Sequence, residues 1–420
     1  MKVLRRLAFA AISFLYSLSL SAQVDQSPYS INGIGDIKTL ANASQFGMGG
    51  MGIATPTRFN INNMNPALLP YNLLSSFSMG LAIDYRSIST EDLTQTNGGA
   101  LFHNLIFSFP IMPNKWSMSF GLMPFSSVNY NIKVRQIVPD TTIPVTSDLE
   151  GTGGLAQAYF SNGIKLIKGL SIGLRGTYIF GSIDNTSTSL VDSTNYNTIL
   201  NRQTVYGDLT LGGGLHYRHQ KDGETAFHIG LTYDPKTEIK GNSTSWLSRT
   251  TSNNQTGPGR DTLQNKEPGS FVIPAKYGFG VSYEKQFKIT VGMEFRYEEW
   301  SSAKNFSGNT DGFRNIYSVA AGAEWIPDFN SVGSYLERVA YRIGFSYAQS
   351  PYIAADSEVN DFGINFGWSL PLARGSSSLD MGFRFGQRGN LSSNPLRERY
   401  FQSLVGITIN DRWFVRRRFD

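Results

Sequence analysis

The sequence contains no cysteine in 420 residues. A chain without cysteine forms no disulfide, and it offers no thiol nucleophile, no cysteine-ligated metal and no lipidated N-terminal cysteine. Charged residues are also scarce, at 16% against about 25% in ordinary soluble domains. After residue 22 no apolar run approaches the roughly 20 residues that a membrane-spanning helix needs. If this chain enters a membrane, it must therefore do so as a closed β-barrel.

Glycine and aromatic residues are abundant, with 43 glycines and 13% aromatic side chains. Residues 378–389, SLDMGFRFGQRG, carry apolar side chains at every second position and glycine, polar or charged residues between them. This alternation indicates a strand with two different faces. A soluble sandwich can produce it, but a face of glycine and charge makes a poor core and suits the wet lumen of a membrane barrel. The pattern recurs in residues 79–86, 291–298 and 341–348.

The strand signals from residue 75 onwards number fourteen, and short turns alternate with long polar connections. We therefore predict an all-β protein, a 14-stranded antiparallel transmembrane β-barrel over residues 75–420. Outer-membrane barrels place long loops outside the cell and short turns in the periplasm. An even strand number then predicts that both chain termini are periplasmic. The predicted long loops are residues 131–152, 183–202 and 236–271.

Tryptophans fall near the predicted strand ends, as in the aromatic girdles of membrane barrels. Trp116, Trp325 and Trp413 lie at predicted periplasmic ends and Trp300 at an outer end. Ordinary edge packing is the alternative explanation.

Residues 1–22 have the features of a secretory signal peptide: an early basic stretch, an apolar run and small residues up to Ala22. An uncut membrane anchor is the alternative, but the apolar run is short for a spanning helix. Cleavage would remove three of the 37 basic residues and leave them nearly balanced by the 32 acidic ones. The basic pI therefore does not indicate a nucleic-acid partner.

Residues 23–74 lack clean alternation, are rich in glycine and asparagine, and precede the first strand. A segment of this size ahead of a barrel predicts a hatch folded into the lumen. The segment contains a hatch motif that consists of Gly47, Gly49, Gly50, Gly52, Asn65, Pro66 and Ala67, together with Ala54 and Leu68. On these residues the chain resembles the FadL/TodX family of outer-membrane transporters for fatty acids and hydrocarbons, and its GITINDRWF ending and basic tail resemble Bacteroidetes members.

This resemblance implies passive uptake of hydrophobic molecules and a kink in the third strand that opens the wall sideways. Pro124 lies inside the third predicted strand, where it cannot donate to the ladder. We predict a lateral opening at Met123, Pro124 and Phe125; the alternative is that the strand ends near Leu122 and a loop begins.

A basic residue in the lumen is expected to hold the carboxylate of a ligand. The candidates are Arg58, Arg86 and Arg175. Asp380 and Arg384 share one face of a strand and are interpreted instead as part of a charge lattice that fixes neighbouring strands.

Other motifs do not support an enzyme, a cofactor or a metal site. The GMGGMG stretch, residues 47–52, follows no strand and opens no helix, as a dinucleotide site requires. The GLSIG stretch around Ser171 begins a strand and does not form a strand-to-helix turn. His216 and His219 could bind a metal only if a bend brought them together, and solvated positions at strand ends are the simpler interpretation for the four histidines.

The leading hypothesis from the sequence is an outer-membrane barrel of a Gram-negative bacterium for passive uptake of hydrophobic molecules such as long-chain fatty acids. The alternative is a non-transporting barrel that serves as a structural or docking subunit of a secretion or barrel-assembly complex. The expected partners are outer-membrane lipid and lipopolysaccharide, hydrophobic small molecules, and other outer-membrane proteins or lipoproteins.

Overall fold

The computed structural model describes residues 26–137, 144–191, 196–251, 256–310, 312–354, 357–372 and 376–413. The predicted signal peptide, residues 1–22, lies outside the described residues, as does the basic tail after residue 413. Within the described ranges, no helix is both long enough and apolar enough to span a membrane.

Strands account for nearly all regular structure in the described chain. They are β1 (Asp36–Ile37), β2 (Ser75–Ser89), β3 (Thr94–Met112), β4 (Trp116–Ser127), β5 (Tyr130–Ile137), β6 (Pro144–Ile167), β7 (Leu170–Val191), β8 (Tyr196–Gln220), β9 (Thr225–Asp234), β10 (Thr237–Thr251), β11 (Thr256–Ile273), β12 (Lys276–Lys285), β13 (Ile289–Glu298), β14 (Ile316–Trp325), β15 (Ala340–Ala354), β16 (Ser357–Leu372), β17 (Ser377–Arg388) and β18 (Arg397–Asp411). The helical elements are α1 (Ala43–Phe46) and the 3₁₀ helices Pro28–Ile31, Pro66–Tyr71, Trp300–Ser302 and Leu336–Arg338.

The strands from β2 to β18 form a closed antiparallel barrel of fourteen wall strands. Three wall strands are interrupted and carry two labels each: β4 with β5 along β6, β9 with β10 along β8, and β11 with β12 along β10 and β9. The barrel closes where β18 pairs with β2, from Arg397↔Ser89 to Asp411↔Ser75. The predicted all-β, 14-stranded antiparallel barrel is confirmed.

The two faces of the wall differ as the sequence pattern predicts. In β9, Phe227, Ile229, Leu231 and Tyr233 are each 44–48% exposed, whereas the intervening positions are buried or half-buried. These exposed rows point away from the barrel interior. Exposed apolar side chains on one face suit contact with lipid, and the glycine-rich and polar face is enclosed.

The predicted long loops are in large part strand. β6, β7 and β8 extend through residues 144–152, 183–191 and 196–202, and β10 with β11 forms a long paired hairpin. The sequence did not indicate these extensions because both of their faces are polar, so no lipid-facing row repeats at period two. The end of the barrel that carries them is referred to below as the long-hairpin end, and the opposite end as the short-turn end.

Trp116, Trp325 and Trp413 lie at the short-turn end, and the last two are about half exposed, at 50% and 51%. Trp300 differs from the prediction. It is 1% exposed and packs with Phe313 in an apolar cluster inside the long-hairpin end. Trp300 therefore packs inside the protein and does not contribute to an aromatic girdle at the membrane interface.

The N-terminal segment, defined as residues 27–74, runs from the long-hairpin end to the short-turn end. The Ser27 amide donates to Asn129 O (2.9 Å) and the Tyr29 hydroxyl to Leu396 O (2.8 Å) at the long-hairpin end. At the other end, Asp411 pairs with Ser75. The two ends of the described chain therefore lie at opposite ends of the barrel. The termini themselves, which are predicted to be periplasmic, lie outside the described residues.

A charge on the lipid face should destabilise the barrel in the membrane. Phe279 is exposed near the middle of β12, and we expect Phe279→Arg to lower the free energy of unfolding by about 2–4 kcal/mol, the cost of arginine near the bilayer centre. The measurement is a urea titration of the mature chain folded into lipid vesicles, followed by gel mobility. The matched control is Leu263→Arg, exposed on the β11 extension, which should change stability by under about 0.5 kcal/mol. Equal effects of the two substitutions would contradict the assigned lipid face.

Candidate functional site

The N-terminal segment packs against a row of wall glycines, defined here as the glycine belt. A Cβ added at any of them would lie within 3.2 Å of an atom of the segment, which is closer than side chains normally approach. At Gly230 the distance would be 2.0 Å to Ile53 O, and at Gly344 it would be 2.2 Å to Gly49 N. Backbone therefore meets backbone, a contact that only glycine permits. The belt consists of Gly163, Gly173, Gly214, Gly230, Gly280, Gly322, Gly344, Gly367 and Gly382.

The belt glycines lie at one level because many of them are paired across neighbouring strands. Such pairs are Gly163↔Gly173, Gly173↔Gly214, Gly230↔Gly280, Gly322↔Gly344 and Gly367↔Gly382. The belt spans β6 to β17, and on the remaining wall strands other side chains contact the segment. His103 of β3, for example, lies 2.8 Å from Ala41 O through Nε2.

The glycine-rich part of the segment turns sharply at the belt. Asn42 caps α1 by accepting from the Gln45 amide (2.9 Å), and Gly49 follows with φ +77°. The Gly52 amide then donates to Glu294 of β13 (2.7 Å), as does the Ile53 amide. A buried carboxylate thus satisfies two backbone donors that would otherwise have no partner.

The Asn-Pro-Ala stretch forms the second contact with the belt. Asn65 begins the 3₁₀ helix by accepting from the Ala67 amide (3.0 Å), and its Nδ2 donates to Ile53 O (2.8 Å) and Leu215 O (3.1 Å). Pro66 lies against Gly163 and Gly173. The seven residues selected from the sequence as a hatch motif all lie within or against this layer.

On the long-hairpin side of the belt, a group of ion pairs joins the N-terminal segment to the wall. Asp36 pairs with Arg388 (2.9 Å), and the Ser27 hydroxyl donates to Glu398 (2.6 Å). The group continues through the pairs Arg86–Glu398 and Arg384–Asp361. A cavity of about 400 Å³ is lined by most of these charged residues, except Glu398, and also by Lys38 and Arg296. A cavity with this lining suits water and ions better than an acyl chain.

The structure places the three candidate arginines apart from one another. Arg86 is 5% exposed and is paired with Glu398. Arg175 pairs with Asp234 (2.9 Å) and donates to Asn63 O (2.9 Å), so it holds the segment against the wall. Arg58 lies at the short-turn end with its guanidinium 5.5 Å from the centre of the Phe287 ring.

Next to the segment, β4 separates from β3 above Leu122. The two strands pair from Met112↔Trp116 to Leu105↔Leu122 only. Beyond that point β4 continues to Ser127 and pairs with β1, with a bulge between Pro124 and Ser126 on its β6 side. The alternative of a loop after Leu122 is therefore wrong. Residues 94–104 of β3 pair with β2 and, among the described residues, with no strand on their other side.

Met123, Pro124 and Phe125 lie where the separation begins. Met123 is 1% exposed and packs with Ile61 and Leu69 of the segment, and Phe125 O accepts from the Lys38 amide (2.9 Å). The predicted residues thus belong to the part of β4 that is separated from β3, and the N-terminal segment packs against them.

The sequence did not indicate a buried polar cluster below the belt. His216 Nε2 lies 3.1 Å from His228 Nδ1, and His228 Nε2 lies 3.1 Å from Glu284. Both rings are 1% exposed and His103 is 4% exposed, so the prediction of solvated histidines holds only for the exposed His219. In the sequence, His216 and His228 alternate with apolar residues, and this pattern could have indicated that both face the barrel interior. Among the described residues, no group of histidine, cysteine, aspartate or glutamate could hold a metal.

Two further assignments from the sequence change in detail. Arg384 does belong to a charge lattice, but its partner is Asp361 and not a residue on its own strand. Asp380 instead accepts from Ser378 (2.9 Å) and Thr408 (3.3 Å). Ser171 lies on β7, fully buried, without the strand-to-helix turn of a nucleophile elbow.

Several solved outer-membrane proteins have a similar fold. The toluene transporter TbuX of Ralstonia pickettii superposes with a TM-score of 0.59 at 17% identity, covering 89% of this chain and 99% of that chain. The toluene transporter TodX of Pseudomonas putida gives 0.55 at 16% identity, covering 90% and 99%. A FadL homologue of Pseudomonas aeruginosa gives 0.53 at 12% identity, with the same coverage. At these identities the similarity establishes the fold, that of the FadL-type outer-membrane barrels, which confirms the resemblance to the FadL/TodX family.

One protein-family model matches nearly the whole sequence. A family model described as BamG matches residues 3–420. No curated protein matches the chain significantly.

Because the N-terminal segment lies so close to the belt glycines, adding a single methyl group at one of them should disturb their packing. We expect Gly230→Ala, whose Cβ would meet Ile53 O, to lower the free energy of unfolding by about 2 kcal/mol or more, the scale of overpacking. The same substitution should increase ion conductance in planar bilayers if the segment shifts. Gly176→Ala is the matched control, because its Cβ would meet nothing closer than 3.9 Å. A Gly230→Ala barrel as stable as the Gly176→Ala barrel would contradict the close packing.

Proposed function

This chain belongs to the BamG family, and we propose that it is a non-conducting outer-membrane barrel that serves as a structural or docking subunit of an assembly or secretion complex. The observation that carries the proposal is the glycine belt. The N-terminal segment packs against this belt on strands from β6 to β17, in most places backbone to backbone, which supports the proposal that the segment plugs the lumen.

The cavity beside the plug supports the same conclusion. It measures about 400 Å³ and is lined by charged groups, several of them joined in ion pairs across strands. Removal of one partner from such a buried pair typically costs 3–5 kcal/mol. A plug held in this way, next to a charged cavity, is poorly suited to repeated movement for an apolar substrate.

The long-hairpin end offers the surface for a partner. β5 to β8, β10 and β11 extend beyond the apolar band as a paired, polar sheet. On β11, residues 260–263 and 265–268 are exposed. We propose that another outer-membrane protein or lipoprotein docks on this sheet.

A second candidate function is passive uptake of hydrophobic molecules, such as long-chain fatty acids, with lateral release into the bilayer. The specific observation in its favour is the separation of β4 from β3 above Leu122. Proteins described as toluene transporters share the fold. In this case Met123, Pro124 and Phe125 would border the exit, and Leu40 with Ala41 of the segment would have to move from beside it.

The two proposed functions predict different results when the protein is extracted in detergent and when fatty acid uptake by cells is measured. We expect the protein, extracted from its native membrane in mild detergent, to elute in one complex of fixed stoichiometry, because docking is its role. Gel filtration with mass determination and quantitative mass spectrometry of the peak measures this. We also expect a deletion strain to take up radiolabelled oleate at the parental rate. Elution as a lone barrel, together with a several-fold loss of oleate uptake on deletion, would overturn the docking proposal and favour transport.

A further inference from the structure

At the short-turn end, a cavity of about 130 Å³ lies between the N-terminal segment and the wall. Residues 55–60 of the segment form one side of it, and the ends of β12 to β17 with their connecting turns form the other. It is separate from the charged cavity on the other side of the belt, which shares none of its lining residues. The proposed docking role makes no use of it.

Three phenylalanines from different parts of the chain form a stack at this cavity. Phe287 and Phe329 have ring centres 4.4 Å apart with an interplanar angle of 17°, and Phe59 lies 5.9 Å from Phe329 with an angle of 7°. Near-parallel rings present flat faces on which another aromatic ring can stack. Phe287 is held there at φ +54°, in a region that large side chains usually avoid, by the tight turn after β12.

Positive charge exceeds negative charge around the stack. Arg58 and Arg338 line the cavity, and among the described residues neither forms an ion pair with a carboxylate; each guanidinium lies over an aromatic ring instead. The Nε of Arg338 is buried without a hydrogen-bond partner. Arginine side chains without partners beside apolar rings are the groups that recognise a carboxylate.

The acidic residues of the lining are already occupied. Glu284 lies 3.1 Å from His228, and Glu324 pairs with Arg342 at 2.6 Å. Neither forms an ion pair with Arg58 or Arg338, although Glu284 lies near enough to Arg58 to interact with it electrostatically. Four basic residues, including Lys288 and Arg342, and two acidic ones line the cavity, so positive charge is in excess next to a flat apolar surface.

We propose that this cavity is a binding site for an aromatic carboxylate, whose ring stacks on Phe59, Phe287 and Phe329 and whose carboxylate is held by Arg58 and Arg338. A volume of about 130 Å³ fits a single ring with a short side chain and is too small for a long acyl chain.

The neighbouring surface indicates two sources for such a group. Arg58, Phe59 and Phe287 also border a larger hollow of about 530 Å³, lined further by Leu74 and Trp413. A free aromatic acid would use the small cavity alone. The carboxyl-terminal aromatic residue of a polypeptide would place its preceding residues in the larger hollow.

The probe for the test is 3-phenylpropanoate, titrated into the full mature chain in detergent by isothermal calorimetry. We expect a dissociation constant of about 0.1–1 mM, the range for a ligand of this size. The neutral amide of the same shape should bind about tenfold more weakly, because it lacks the charge. Cyclohexanepropanoate should also bind more weakly, because its ring is not flat.

Substitutions identify the residues involved. Arg58→Gln and Arg338→Gln should each weaken binding of 3-phenylpropanoate about tenfold, the loss of one charge-assisted contact, and Phe329→Ala should weaken it several-fold. The matched control is Arg260→Gln: Arg260 also lies over an aromatic ring, that of Trp246, but at the long-hairpin end. It should leave binding unchanged. Gel mobility of the folded barrel verifies that each variant folds.

Equal binding of the acid and its amide, or unchanged binding in both arginine variants, would overturn the proposal. So would tighter binding of dodecanoate than of 3-phenylpropanoate, which would indicate an acyl-chain site. A tripeptide ending in phenylalanine distinguishes the sources. If the tripeptide binds at least tenfold more tightly than 3-phenylpropanoate, and only when its carboxyl terminus is free, the site binds the end of a polypeptide. If it does not, the site binds a free aromatic acid. None of these results depends on whether the barrel docks in a complex.

Discussion

The rest of this structure depends on the approach of one backbone to another inside the barrel. At the glycine belt, the N-terminal segment lies so close to the wall that a single methyl group would overlap it at most positions. Such contact removes the space that water or a solute would need. It also fixes the segment in register, because the carbonyls and amides at Ile53 and Gly49 meet particular wall residues. The wall and the N-terminal segment therefore form one packed unit.

The belt divides the interior into two environments with different chemistry. On the long-hairpin side, ion pairs such as Asp36–Arg388 link the segment to the wall around a charged cavity. On the short-turn side, Phe59, Phe287 and Phe329 form an aromatic surface beside Arg58. The contact of the N-terminal segment with the wall separates these two environments within one barrel. The segment also covers the separation of β4 from β3, because its strand β1 pairs with the end of β4.

Membership in the BamG family and similarity of fold to hydrocarbon transporters are compatible, because a fold does not fix a function. A 14-stranded barrel with a lateral separation offers both a route for small apolar molecules and a rigid platform for a partner. The charged cavity lining and the close packing of the N-terminal segment are the observations on which the proposed docking role rests. The polar extensions of β6 to β8, β10 and β11 provide such a platform with a broad surface outside the apolar band.

The sequence by itself determined the barrel, its fourteen strands and the direction of each face, because lipid imposes apolar side chains at every second position of a wall strand. It also identified Gly49, Asn65 and Pro124 as special, since glycine and proline restrict the backbone wherever they occur. Only the tertiary structure decided what those residues contact, because the partners are distant in the chain: Gly52 and Glu294 are 242 positions apart. The burial of His216 and Trp300, and the strand character of the polar extensions, depended likewise on neighbours that no local pattern records.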